Sequence, residues 1–333
     1  MTIHWNNLYN TILIDPFSRG DVDTLNIISG YATSAMAFHH LNHFRNENPA
    51  NIPRVNLTIG MVPRDGMSIS NHRGFLQLVN NDFSTNFQCN YVFNRPQVHS
   101  KLYIWCDGNR PIIAYIGSAN YTQTALHTVA QREIMAPCDP QMAFEYYNQI
   151  QGDTIFCNHQ DTEHTIALVR DNYRRGMPSG QESSIEDTDT NPYNCLPSVV
   201  VSLVDKNGQV QKTAGLNWGQ RDGREPNQAY LQLSPAVYRS NFFPVRTVNF
   251  TVLTDDDRSF ICTRAQKDEN GQAIETPQNN SLLGEYFRNR LELANGAFIS
   301  RADLDNYGRT DVTFYKIDDE TFYMDFSIHD ITN

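Results

Sequence analysis

Short apolar runs alternate with stretches of helical spacing through the first half of the chain. Residues 11–14 form an apolar run that reads as a strand. Across 24–45, apolar positions recur at helical spacing behind a candidate cap at Asp23, with a break at Gly30. Residues 55–61 alternate like a strand, 73–79 suit a helix, and 89–93, 98–106 and 111–116 read as strands. Helical spacing returns at 122–129 and 140–150. Strands alternating with helices in this way predict an α/β domain over 1–172, with a mixed sheet flanked by helices.

From 173 to 194 the apolar pattern stops, and Gly, Pro, Ser and acidic residues predict a linker. Residues 195–333 are strand-rich. Runs at 199–204, 229–233, 248–253, 260–263, 312–317 and 321–326 read as strands, and 281–291 as a helix. Turn residues stand at 205–208, 255–258 and 318–320. Short strands at this spacing predict a small, mostly-β barrel.

The length of 333 residues fits two domains, and 40% hydrophobic content excludes wholesale disorder. No apolar run reaches the roughly 18 residues of a membrane helix. The N-terminus lacks a basic start followed by an apolar block, so no signal peptide is expected. Six cysteines stand without C-x-x-C spacing, which suggests neither a zinc ribbon nor a redox pair. Reduced thiols in the cytoplasm are the expectation. The formal charge of −11 argues against a protein that sticks to nucleic acid indiscriminately. Only five residues are lysine, and Lys101 is the single one among the first 205.

That lysine sits in Val98-His99-Ser100-Lys101. On the predicted strand, His99 and Lys101 project to the same side. An ammonium beside an imidazole suits a phosphodiester: it holds a non-bridging oxygen and disfavours protonation of the nucleophilic ring. Gly117-Ser118-Ala119-Asn120 follows a strand and precedes a predicted helix, a second cradle for phosphate oxygens. Glu133, thirteen residues after Asn120, is a candidate to orient His99 through its second ring nitrogen. His39, His40 and His43 share a predicted helix, but no carboxylate completes a metal set, and no metal site is expected.

His99-Ser-Lys101 with Gly117-Ser118-Ala-Asn120 resembles the H-x-K…G-S-x-N signature of the phospholipase D superfamily. The stretches Ile28-Ser-Gly-Tyr-Ala-Thr-Ser, Leu57-Thr-Ile-Gly-Met and Tyr115-Ile-Gly-Ser-Ala-Asn-Tyr-Thr extend the resemblance to restriction endonucleases of the NgoFVII type. The fuller pattern has an Asp five residues after the Lys. Here Cys106 stands there, with Asp107 next.

The second half is similar to the B-three-type DNA-binding pseudobarrel of the same enzymes. Residues 215–228 match its N-terminal arm and 264–280 its C-terminal arm. The candidate DNA-reading residues are Asn217, Trp218, Gln220, Arg221, Arg224, Asn227 and Gln228, then Arg264, Gln266 and Lys267. Arg pairs bidentately with guanine, and Asn or Gln with adenine. Residues 206–253 carry six basic and two acidic side chains, and a further basic stretch reaches Arg288 and Arg290.

The resemblance implies a sequence-specific endonuclease acting on double-stranded DNA, working through a phosphohistidine without a metal cofactor. A single H-x-K implies a homodimer through the nuclease domain. A separate ATPase or translocase subunit and a cognate methyltransferase are implied partners, and no P-loop lies in this chain. Two rivals stand beside this reading: a DNA-binding protein with a vestigial nuclease domain, and a phosphodiesterase acting on another substrate.

Overall fold

A computed structural model describes residues 2–128, 130–171, 193–265 and 271–328. The expected linker, but for its last two residues, lies outside this set, as do Gln266 and Lys267. The chain divides into two compact units, Met1–Val169 and Arg170–Asn333.

The first unit carries strands β1 (Thr24–Ser29), β2 (Arg54–Ile59), β3 (Met67–Ser68), β4 (Phe87–Val92), β5 (Leu102–Asp107), β6 (Arg110–Gly117), β7 (Met135–Cys138), β8 (Thr154–Phe156) and β9 (Leu168–Val169). Seven of them form a sheet in the order β7-β6-β5-β1-β2-β4-β8. β1, β2 and β4 run parallel, whereas β5 is antiparallel to β1, so the sheet is mixed. The helix Pro140–Gln151 packs Ala143 and Tyr147 against Ile28, Ile104 and Ala114. On the opposite face, Trp105 meets Phe17, which meets Phe44 of the helix Ser34–Glu47.

Two sequence expectations fail here. The helix expected over 24–45 is a strand, then a turn, then a helix capped by Thr33, whose Oγ1 accepts from the Met36 amide (3.2 Å). Every residue of β1 is buried because neighbours flank it on both edges and both faces. A central strand is therefore a continuous apolar run rather than an alternating one, and short runs of that kind also satisfy helical spacing. Residues 11–14 likewise belong to a wide-turned helix, Tyr9–Ile14, whose Ile12 carbonyl accepts the Trp105 indole N–H (2.8 Å).

The second unit adds β10 (Ser198–Ser202), β11 (Leu231–Gln232), β12 (Phe250–Thr254), β13 (Ser259–Ala265), β14 (Ala273–Glu275), β15 (Asp311–Lys316) and β16 (Thr321–Asp325). They form one sheet, β10-β15-β16-β12-β13-β14-β11, whose end strands approach each other to give a nearly closed barrel. Phe243, Phe250, Phe314 and Phe322 fill its interior. The turns at 255–258 and 318–320 join β12 to β13 and β15 to β16 as expected. The helix Arg301–Tyr307 was not anticipated, although its capping box, Ser300 with Asp303, is written in the sequence.

No helix among the described residues is long and apolar enough to cross a membrane.

Candidate active site and DNA-reading arms

The parallel strands β1 and β2 end together, at Gly30 and Gly60. The Val98 amide donates to the Gly60 carbonyl (2.9 Å), which seats the His99 segment across the strand ends. A Cβ on Gly60 would lie 2.0 Å from the Val98 carbonyl oxygen, so only glycine admits this approach. The expected strand over 98–106 begins only at Leu102, so His99 and Lys101 do not share a strand face. Lys101 instead folds back, and its Nζ donates to the His99 carbonyl (2.7 Å). Both side chains meet at Gly30. A Cβ there would sit 3.0 Å from His99 Cδ2 and 3.3 Å from Lys101 Nζ. His99 is exposed, while Lys101 is only 6% exposed. Burial lowers the Lys101 pKa, and the nearby Glu133 charge pulls it back up.

Asn120 joins them through the turn after β1. Its Oδ1 accepts from the Tyr31 amide (3.1 Å) and the Ser29 hydroxyl (3.4 Å). The backbone donor fixes which end of the amide is the oxygen and leaves Nδ2 as its donor end. An ammonium and an amide donor pair beside an exposed imidazole suit a phosphodiester.

Ser118 and Glu133 differ from their expected roles. The Ser118 hydroxyl donates to Glu133 in a short hydrogen bond and accepts from the Ile134 amide (3.1 Å). Its one proton is thus committed to Glu133 and not offered to a phosphate. Glu133 makes no hydrogen bond with His99 among the described residues.

In the second unit, the residues 215–228 form a compact loop. Asn217 is fully buried. Its Nδ2 donates to the carbonyls of Ile299 (2.8 Å) and Gln211 (3.1 Å), and its Oδ1 accepts from the Ile299 amide (2.9 Å). Gln220 donates to the carbonyls of Gly296 (3.0 Å) and Pro226 (3.3 Å). Asn227 is buried and accepts from the Gly296 amide (2.7 Å). Arg264, 2% exposed, donates to the carbonyls of Gly271 and Tyr238. These four hold backbone in place; Asn217, Asn227 and Arg264 are buried, while Gln220 is half-buried. Arg221, Arg224, Trp218 and Gln228 remain accessible. The Arg224 guanidinium lies 3.9 Å over the Trp218 ring and donates to Gln228 (3.0 Å), and Arg221 donates to the Thr213 carbonyl (2.7 Å).

Comparison with known proteins settles the family. Residues 6–164 match the NgoFVII restriction endonuclease N-terminal PLD domain, and residues 193–318 the NgoFVII C-terminal B3-like DNA-binding domain. The chain belongs to the NgoFVII restriction endonuclease family. No curated protein matches it. Among solved structures, NucT from Helicobacter pylori shares 13% identity over 46% of this chain and 97% of its own, with a TM-score of 0.31. Nuc from Salmonella typhimurium, a phospholipase D family member, gives 13%, 46%, 95% and 0.31. Polyphosphate kinase from Porphyromonas gingivalis gives 14% identity over 51% of this chain but 26% of its own, with a TM-score of 0.29. Overlaps this slight carry no argument.

In the NgoFVII-type B3-like domain, Arg288 and Arg290, which the sequence places in a basic stretch, both bond within the domain. Arg288 is fully buried and reaches the carbonyls of Leu216 (3.4 Å), Pro226 (3.3 Å), Ala297 (2.8 Å) and Gly284 (3.1 Å), pinning the loop 215–228 to the helix Ser281–Arg290. The pointer was Gly284, where a Cβ would lie 1.7 Å from the Asn227 carbonyl. Arg290 pairs with Asp255 (2.7 Å) and is structural as well. In the NgoFVII-type PLD domain, the His39 and His127 rings lie 4.3 Å apart with planes tilted by 41°, beside Tyr9, while His40 is fully buried. Among the described residues no group of three or more His, Cys, Asp or Glu is arranged to hold a metal ion.

Proposed function

We propose that this chain is a sequence-specific restriction endonuclease that cleaves double-stranded DNA through a phosphohistidine, with no divalent metal in the chemical step. The observation that carries the reading is the meeting of His99 and Lys101 at Gly30, with the Asn120 amide anchored on the adjoining turn. In the first step His99 attacks phosphorus. A nitrogen–phosphorus bond forms as the bond to the leaving oxygen breaks. The His99 of a second copy gives its proton to that oxygen, then takes a proton from the water that splits the phosphohistidine. Lys101 and Asn120 stabilise the charge on the five-coordinate phosphorus.

The second copy is needed because one chain offers one His-x-Lys. An exposed apolar face beside Ser118 supports a homodimer through this domain. Ile116 pairs across β6–β7 with Ala136, and the pairing of His4 with Met135 brings Ile3 and Trp5 alongside the exposed Ile134. Arg221 and the Trp218–Arg224–Gln228 group are the proposed DNA-reading surface. The same reading places the enzyme in the cytoplasm, with a methyltransferase protecting host DNA and an ATPase subunit as a further partner.

The test is incubation of the purified protein with plasmid DNA in EDTA. Discrete fragments that disappear in His99→Ala support the proposal. Site-specific binding without cutting, with or without a cognate ATPase, favours a vestigial nuclease. Hydrolysis of other phosphodiesters but not of DNA favours the remaining rival.

A further inference from the structure

We infer that Tyr31 and Asp65 form a positioning pair that sets the orientation of the His99 imidazole. This rests on the reading of His99 as the nucleophile. The His99 side chain makes no hydrogen bond among the described residues, and Glu133 is engaged with Ser118. An exposed imidazole bonded at neither nitrogen is free to change rotamer unless packing holds it.

Packing is what the structure supplies. On one side Gly30 lets His99 Cδ2 approach its backbone. On the other, the Tyr31 ring stands edge-on to the imidazole, with centroids 6.2 Å apart and planes at 79°. Tyr31 is itself fixed at three points. Its amide donates to Asn120 Oδ1 (3.1 Å), its carbonyl accepts from the Ser29 hydroxyl (2.5 Å), and its phenol donates to Asp65 Oδ2 (2.5 Å).

Asp65 is anchored to the same turn. It ends the short helix Val62–Asp65, and its amide donates to the Met61 carbonyl (3.0 Å). The Met61 amide in turn donates to the Gly30 carbonyl (3.1 Å). A closed circuit therefore runs from Gly30 through Met61 and Asp65 to the Tyr31 phenol and back along the chain to Gly30. Arg64 lies 3.6 Å from the Asp65 carboxylate and offsets part of its charge. One rigid turn thus holds both the Asn120 amide, through the Tyr31 backbone, and the His99 ring, through the Tyr31 side chain.

The experiment combines single-turnover cleavage with NMR of the histidine ring resonances in the DNA-free protein, His99 being assigned with His99→Ala. Tyr31→Leu is expected to slow cleavage about 30-fold while DNA affinity stays within about 3-fold, because misplacing an attacking atom costs rate and not binding. Tyr31→Phe keeps the ring and is expected to lose less. Asp65→Ala, which leaves the phenol no side-chain acceptor there, is expected to match it, with no further loss in the double variant, since both remove one bond. In the NMR arm, the His99 ring signals are expected to shift in Tyr31→Leu and to stay close to wild type in Tyr31→Phe. Unchanged His99 signals in Tyr31→Leu overturn the inference, as does a loss of rate matched by an equal loss of binding. Cleavage that persists in His99→Ala overturns the reading of His99 as the nucleophile instead, and the NMR arm still reports on the pair.

Discussion

The Lys101 ammonium is bonded to the backbone carbonyl of His99, the residue whose side chain it is proposed to assist. The position of the cation is thereby tied to the segment that carries the imidazole. Lys101→Met is expected to lower single-turnover cleavage about 1000-fold with the circular dichroism spectrum unchanged. Lys101→Arg is expected not to restore it, because a planar guanidinium does not fit the slot against Gly30 as a compact ammonium does. Near-wild-type cleavage by the arginine variant would remove the geometric part of this argument.

Gly30 is the point where both groups meet. In Gly30→Ala the new methyl presses on His99 Cδ2 and Lys101 Nζ from 3.0 and 3.3 Å. These two and the Met61 Cγ, also 3.3 Å away, have to give by a few tenths of an ångström. The expected result is a loss of roughly 10- to 100-fold in cleavage rate. His99 is exposed and can move aside, whereas Lys101 and Met61 are buried, so a modest drop in melting temperature is expected beside the loss of rate. Rate and melting temperature measured on the same sample check this.

In the B3-like domain, two kinds of polar residue separate by variant. Asn217→Ala strands the Ile299 amide and two carbonyls in a buried site, and is expected to destabilise the domain by about 3 kcal/mol. Arg221→Ala is expected to leave the melting temperature unchanged. It should weaken binding by roughly 1–3 kcal/mol at one base pair if the residue reads guanine. A uniform loss over all sequences would reduce Arg221 to a phosphate contact.

His40 sets a pH dependence of stability. It is fully buried, with Nδ1 against the Tyr121 hydroxyl (2.7 Å) and Nε2 against the Leu13 carbonyl (3.3 Å). Burial first, and then His39 and His43, push its pKa down from 6.5 to about 3, with the Leu13 hydrogen bond opposing. The folded state therefore refuses a proton that the unfolded chain accepts. The contribution is complete above pH 6.5 and is lost progressively as pH falls toward about 3, at close to 1.4 kcal/mol per pH unit. His40→Gln is expected to reduce the slope of stability against pH between 6.5 and 4 by one proton. Equal slopes in urea titrations would show that His40 protonates freely in the fold.

The proposed catalytic motif was legible because lysine is scarce. A single Lys in 205 residues, two positions after a His, stood out before any geometry was known. The barrel strands were legible from their turn residues. β1 was not, because a strand buried on both faces loses the alternation that identifies it. The roles of Asn217, Asn227 and Arg264 were also hidden. An amide or guanidinium that holds backbone has the same letter as one that reads a base, and only burial and partners distinguish them. Ser118 and Glu133 were found by spacing, yet the bond between them was not, since sequence separation does not reveal which of two acceptors a hydroxyl meets.

The central claim is that phosphorus is bonded to His99 midway through the reaction. It is tested by cleaving a DNA with a phosphorothioate of defined chirality at the scissile position, in heavy-oxygen water and EDTA. Two successive in-line displacements, by His99 and then by water, retain the configuration at phosphorus. Retention, with no product from His99→Ala, is the expected result. Inversion would mean that water attacks directly, and the phosphohistidine would have to be abandoned.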